Sequence, residues 1–303
     1  MVTLITGATG FLGRELRAYL KLDPSSEVHT CALNALSEWS NHSATNLTKK
    51  NDVEKLIRRI KPQRVYHLAG IARVSNSIEF ADYFYQNTLS TQYILESITE
   101  SGSPCDFFLA SSVHVYGNQN QIVNERSEVK PAAPYGFTKL LAEETLKNFT
   151  LKHPQIRGVV GRLYSCIGPD QPAGFAASDI CLKIKTLKKT NGTRLEVGPI
   201  DAIRQFTDVR DAIKTFPTLL DSKLPSRFEI FNIASQKTYE VKELIQLALK
   251  LEGLEATIAS QSNDSNPFKG LKVDTTKLHS FVTPGIFRPL ECSLKDILAS
   301  TPG

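Results

Sequence analysis

Val2-Thr3-Leu4-Ile5-Thr6-Gly7-Ala8-Thr9-Gly10-Phe11-Leu12-Gly13 opens the chain. A short strand-forming run leads straight into three spaced glycines, and an amphipathic stretch begins at Phe11. Gly7 permits the tight turn out of a strand. Gly10 lets the backbone approach a pyrophosphate with no side chain in the way, and Gly13 lets a helix pack close to the sheet. The helix N-terminus adds unpaired N–H groups and partial positive charge for the phosphates. Glycines also punctuate ordinary turns, but here they occupy the strand–turn–helix context that dinucleotide binding requires. Gly7, Thr9, Gly10, Phe11, Leu12 and Gly13 are therefore expected around the cofactor.

Working outward, the first two-thirds of the chain alternate short β-branched runs with longer amphipathic stretches. The pattern predicts strands over 2–6, 27–33, 64–68, 105–111 and 156–163, and helices over 11–21, 51–60, 82–101 and 135–152. This alternation predicts an α/β fold, a doubly wound parallel sheet covered on both faces. After about residue 164 the rhythm breaks at a Gly- and Pro-rich loop, Gly168-Pro169-Asp170-Gln171-Pro172-Ala173-Gly174. Beyond it the pattern predicts helices over 175–190, 209–221, 240–251 and 293–299, strands over 194–197 and 228–233, and a loop from Ser260 to Asn266. A dinucleotide-binding domain over 1–164, taking in about 200–234, is expected beside a smaller α/β substrate-binding lobe built from 165–199 and 235–303.

The 303 residues are 41% hydrophobic and 22% charged, with a net charge of +5. So mild an excess argues against a nucleic-acid partner and suits a substrate carrying phosphates. The densest basic stretch, Lys183, Lys185, Lys188, Lys189 and Arg194, reads as a solvated helix face. Five scattered cysteines, with no CxxC pair and no histidine cluster, predict free thiols and no metal site. No signal-peptide pattern precedes the first strand, and no apolar run approaches the roughly 20 residues that span a bilayer. A soluble, cytoplasmic protein with no membrane partner is the expectation.

Tyr135-Gly136-Phe137-Thr138-Lys139 places a tyrosine and a lysine at i and i+4, on one face of a predicted helix. A phenol titrates near pH ~10 and is a poor base at neutrality. An ammonium one turn away favours the phenolate and lowers that value. The pair then exchanges a proton with a carbinol or ketone.

Together these features resemble the extended branch of the short-chain dehydrogenase/reductase superfamily, the NAD-dependent epimerase/dehydratase family, with its Rossmann-type fold. The carriers are the glycine spacing, the TGATGFLG order, His67-Leu68-Ala69-Gly70, Ser111-Ser112-Val113-His114-Val115-Tyr116-Gly117 and the Tyr135/Lys139 pair. The resemblance implies a catalytic set of Ser112, Tyr135 and Lys139. It places Leu68, Ala69 and Gly70 beside the adenosine ribose and Asn46-Leu47 against the adenine, where the family usually carries Asp-Leu. It also implies a homodimer through the helices near 82–101 and 135–152. Ala32-Leu33-Asn34 ends the second strand without the acidic residue that holds a 2′-hydroxyl or an arginine for a 2′-phosphate, so NADP is favoured slightly over NAD.

Val113 and His114 stand where sugar-nucleotide 4,6-dehydratases resemble Asp-Glu. Valine transfers no proton, which argues against dehydration. His114 reads as a strand-end histidine near the substrate, available in principle for acid–base work. Arg162 to Gln171 resembles the RxxNxxGP loop that lines the substrate cleft, with Ser165 in place of asparagine. Within the branch, Leu195 to Asp211 resembles the LEVGxxxxxRDFxDVxD stretch of GDP-6-deoxy-4-keto-D-mannose reductases. That resemblance makes Arg204 a contact to the substrate pyrophosphate; a surface ion pair to Asp208 or Asp211 is the alternative. A second phosphate contact near the C-terminus falls on Asn266-Pro267, with Lys269 and Lys272 nearby. The implied activity is reduction of a 4-keto nucleotide-diphosphate sugar. A nucleotide-sugar 4-epimerase with tightly bound NAD, and a catalytically silent cofactor-binding sensor, are the two alternatives.

Overall fold

The computed structural model describes residues 1–23, 26–35, 39, 41–75, 77–260, 270–283 and 287–301. Strands β1 (Val2–Thr6), β2 (Glu27–Ala32), β3 (His42–Ala44), β4 (Arg64–His67), β5 (Cys105–Ser112) and β6 (Ile156–Leu163) alternate with helices α1 (Phe11–Leu20), α2 (Lys50–Ile60), α3 (Phe80–Tyr83), α4 (Ser90–Ser101) and α5 (Pro134–Lys152). A π-helical segment, Phe84–Leu89, joins α3 to α4 in one rod, so the helix expected over 82–101 is present with a wide turn inside it. Pro134 starts α5, at a position where a missing N–H costs nothing.

Then follow β7 (Cys166–Ile167), α6 (Ala176–Lys189), β8 (Arg194–Val197), β9 (Ile203–Arg204), β10 (Thr207–Asp208), α7 (Val209–Asp221), β11 (Phe228–Ile233), β12 (Tyr239–Glu240), α8 (Val241–Glu252), β13 (Thr257–Ser260), α9 (Thr276–His279) and α10 (Leu290–Ser300). Ser260, expected in a loop, closes β13 because it pairs with Val197 of β8; 261–266 lie outside the described residues.

Seven parallel strands form the main sheet in the order β11-β6-β5-β4-β1-β2-β3. Alternate residues feed opposite layers, as a sheet buried on both faces requires. Phe107 and Leu109 join Leu4, Val65 and Val160 under α2, α4 and α5. Phe108 and Ala110 join Ile5, Tyr66 and Val159 under α1 and α7, where Phe108 stacks on Phe216 at 4.2 Å. A separate apolar cluster unites α6, α8 and α10 with β8. Strand order reverses between β1 and β4, and a crevice at the carboxyl ends of strands flanking such a point is where open α/β sheets bind ligands.

Candidate active site

A cavity of about 600 Å³ occupies that crevice. Gly7, Gly10, Phe11, Leu12 and Gly13 form one wall, and Leu68 and Gly70 continue it. Gly7 sits at φ +67, and a Cβ there would come within 2.7 Å of the Ala69 backbone. A Cβ on Gly13 would meet Gly7 O at 2.2 Å. The first turn of α1 therefore packs against the β1 turn with no room for side chains, and no side chain caps it at Gly10. These residues fit the diphosphate of a dinucleotide: backbone N–H groups and the helix N-terminus face open cavity.

The turn after β4 is held by a hydrogen-bond chain that fixes the His67 tautomer. Ala69 N donates to Thr6 Oγ1, which donates to His67 Nδ1 at 2.7 Å. His67 Nε2 then donates to Thr91 Oγ1, which donates to Asn87 O. Asn87, in the π-helical segment, accepts from Ile71 N and donates to Ile71 O and to Thr138 Oγ1. Ala69 thus serves the turn from behind; neither it nor Thr9 lines the cavity.

Asn46 and Leu47 are placed differently from expectation. Asn46 Oδ1 accepts from Thr48 N and Oγ1, closing a local turn, and Leu47 is buried in the core. Neither forms part of the cavity wall.

Ser112, Tyr135 and Lys139 do converge on the cavity. Register brings β5 and β6 side by side from Cys105↔Ile156 to Ser112↔Leu163, so Ser112 emerges beside the loop that carries Ser165. Ser112 Oγ accepts from His114 N at 3.2 Å and is hydrogen-bonded to Tyr135. Lys139 Nζ donates to Ala110 O at 2.8 Å. The expected lowering of the tyrosine by the lysine is corrected: burial pushes Tyr135 up to about 12, with only the Ser112 hydrogen bond pulling down. Burial pushes Lys139 down to about 8 against the opposing charge of Glu143. Tyr135 is thus a neutral phenol at pH 7, suited to giving a proton.

His114 lies in a short 3-10 turn, Val113–Tyr116, rather than at a strand end. Its ring meets Tyr135 edge-on at 5.4 Å. Burial, then Arg204, push it down to about 4, so it is neutral at pH 7. Ser165, at φ +42, and Arg204 line the same cavity. Arg204 Nη1 donates to Ile203 O at 2.8 Å, while Asp208 is paired with Arg210, and Asp211 with Lys214 and Arg288.

Arg162 is the clear misplacement. It is 3% exposed and chelates Glu143 through Nε and Nη2, so it stands behind the cavity wall. Ser111 donates its hydroxyl to the same Glu143. Asn266, Pro267 and Lys269 lie outside the described residues, and Lys272 is exposed. Sequence reading missed Ala72, Val74 and Ser75, which line the cavity from the loop after β4 and belong to no motif. The described residues contain no group of three or more metal-ligating side chains.

The family model described as GDP-mannose 4,6 dehydratase matches residues 4–297. A GDP-6-deoxy-D-mannose reductase from Pseudomonas aeruginosa is 28% identical over 262 residues, covering 84% of this chain and 81% of that protein. Human GDP-mannose 4,6 dehydratase is 26% identical over 312 residues, 96% of this chain and 82% of that protein. Among solved structures, RMD from Pseudomonas aeruginosa complexed with NADPH superposes with a TM-score of 0.85 at 25% identity, covering 99% of this chain and 98% of that one. With its dinucleotide crevice and Ser–Tyr–Lys set, the chain belongs to the GDP-mannose 4,6 dehydratase family of extended short-chain dehydrogenase/reductase enzymes.

Proposed function

We propose that this protein is an NAD(P)H-dependent reductase of a 4-keto nucleotide-diphosphate sugar, with GDP-4-dehydro-6-deoxy-D-mannose the leading substrate. The observation that carries the reading is the pairing of a neutral Tyr135, bonded to Ser112, with an inert Val113. Val113 is 0% exposed and packed in a small apolar cluster, so the position where dehydratases resemble an aspartate has no proton to transfer here. When bound, the nicotinamide supplies the hydride that reaches the keto carbon. Ser112 donates a hydrogen bond to the keto oxygen and orients it. Tyr135 gives that oxygen a proton as charge develops on it, and Lys139 holds positive charge beside the site. Arg204 meets the diphosphate with a planar donor fork, and Ser165 and His114 face the sugar.

The NADPH bound in the structure of RMD from Pseudomonas aeruginosa favours NADP. We assign the cofactor to residues 1–164 and about 200–234, and the sugar nucleotide to the lobe of 165–199 and 235–303. A homodimer across the 80–101 and 134–152 helices would cover Phe80, Tyr85 and Phe137, which are exposed there. Five free thiols favour a reducing, cytoplasmic setting, and no helix among the described residues is long and apolar enough to cross a membrane.

The test is NADPH oxidation with GDP-4-dehydro-6-deoxy-D-mannose. One NADPH should be consumed per sugar, and Tyr135→Phe should lower kcat by about 10²–10⁴-fold while leaving cofactor affinity intact. Full turnover by Tyr135→Phe would overturn the assignment. Interconversion of two nucleotide sugars without added cofactor would mark 4-epimerisation instead.

A further inference from the structure

Behind the cavity wall lies a buried charge cluster that the proposed mechanism does not use. Glu143 is 1% exposed and stands one helical turn beyond Lys139 on α5. Its carboxylate accepts from Ser111 Oγ, from Arg162 Nε at 3.1 Å and from Arg162 Nη2 at 2.7 Å. Arg162 is also buried, with its guanidinium carbon 4.7 Å from the centre of the Tyr116 ring. A buried ion pair is weak evidence for stability, because desolvation offsets most of the attraction. Its position is more informative. Ser111 precedes Ser112 at the end of β5, Arg162 leads β6 into the Ser165 wall, and Glu143 shares α5 with Tyr135 and Lys139.

We propose that Glu143 is a positioning residue for the catalytic set: its clamp on Ser111 and Arg162 locks the ends of β5 and β6 to α5 and sets a fixed negative charge one turn from Lys139. The groups around Lys139 come from four elements. Tyr135 and Glu143 lie on α5, the Ala110 carbonyl on β5, His67 on β4, and Arg162 on β6 behind Glu143. Tyr135 is neutral, and so is His67, which burial pushes down to about 3. Glu143 is the carboxylate in this set, and it opposes the burial that drives Lys139 toward neutrality. Arg162 is held by Glu143.

The inference rests on the reductase reading only for the role of Lys139, and its test needs no substrate. The full chain, labelled with 13C at the lysine side chains, is titrated by NMR, with Lys139 assigned by its loss in Lys139→Met. The unsubstituted protein should titrate near pH 8. Glu143→Gln should move that midpoint down by about one pH unit, since an opposite charge nearby is worth 1–3 units. Ser111→Ala keeps the carboxylate and should leave the midpoint in place. Arg162→Gln leaves the Glu143 carboxylate without its guanidinium partner, so its charge acts on Lys139 uncompensated and should move the midpoint up. A folded Glu143→Gln protein with an unmoved midpoint overturns the proposal. Should that variant not fold, an Arg162→Gln midpoint that fails to rise overturns it equally. Activity would remain interpretable in either case, because failure of the reductase reading leaves the titration untouched.

Discussion

Tyr135 and Lys139 share a helix face and a cavity, yet burial moves their titrations toward opposite ends of the scale from those their free side chains suggest for catalysis. The phenol rises to about 12 and the ammonium falls to about 8, so between pH 7 and 9 the lysine is the one of the two that changes charge. Lys139 is positive below about 8 and neutral above it. We predict that kcat/KM falls as pH rises through about 8, and a basic limb near the ordinary lysine value of ~10.4 would contradict this. The proposed catalytic pair Tyr135 and Lys139 was readable in the sequence because its chemistry sits at i and i+4 on one helix, whereas Ser112 was reached through the family resemblance of the segment after β5. Arg162 was not readable. Whether an arginine faces a cavity or a buried carboxylate depends on Glu143, 19 positions away, and on the register that aligns β5 with β6. Asn46 shows a second limit, since an amide after a strand bonds to its own turn as readily as to a ligand.

The rod from Phe80 to Ser101 shows the same limit among elements. Apolar periodicity located it, but one π-helical turn leaves little trace in a pattern built from 3.6-residue steps. That turn has a function legible only in three dimensions. It aims Asn87, 1% exposed, at both sides of Ile71 and at Thr138, tying the turn after β4 to α5. Asn87→Ala would strand the Ile71 N–H and carbonyl in a half-buried setting. The expected cost is about 1–3 kcal/mol in urea denaturation, together with weaker NADPH binding because Gly70 borders the cofactor wall. Unchanged affinity would show that the Gly70 turn holds its shape without the amide. Long strands and helices were legible because each carries several repeats of its period. The two- and three-residue strands, such as β3 and β7, were not, because so short a segment contains no period and exists by pairing alone.

At the scale of the whole molecule, the main sheet and the smaller cluster around α6, α8 and α10 meet at a hub of charge. Asp208 ends β10 and caps α7, the helix whose Phe216 packs on the sheet, and its side chain is fully buried. Arg210 chelates it at 2.8 and 2.7 Å and reaches Asp296 of α10 at 2.7 Å, while Ser293 of α10 donates to the same Asp208. Arg288 closes the hub by donating its backbone N–H to Asp211. Burial works against the Asp208 charge, yet Arg210 and Ser293 together hold the carboxyl below its ordinary range. A depressed carboxyl contributes stability that is present above its unfolded value of 3.8 and is lost as pH falls through the folded one. Arg210→Met removes the partner and leaves a buried carboxylate, which costs about 3–5 kcal/mol at neutral pH. In the variant that carboxyl titrates higher and takes up a proton on mild acidification, which relieves the penalty. The stability difference between the two proteins should therefore be largest near pH 7 and shrink toward pH 4. Denaturant unfolding at several pH values measures it, and hydrogen exchange should show α10 losing protection before the β5–β6 core. A difference that stays constant across that range would mean that Arg210 joins the two layers by packing alone and that its charge is incidental.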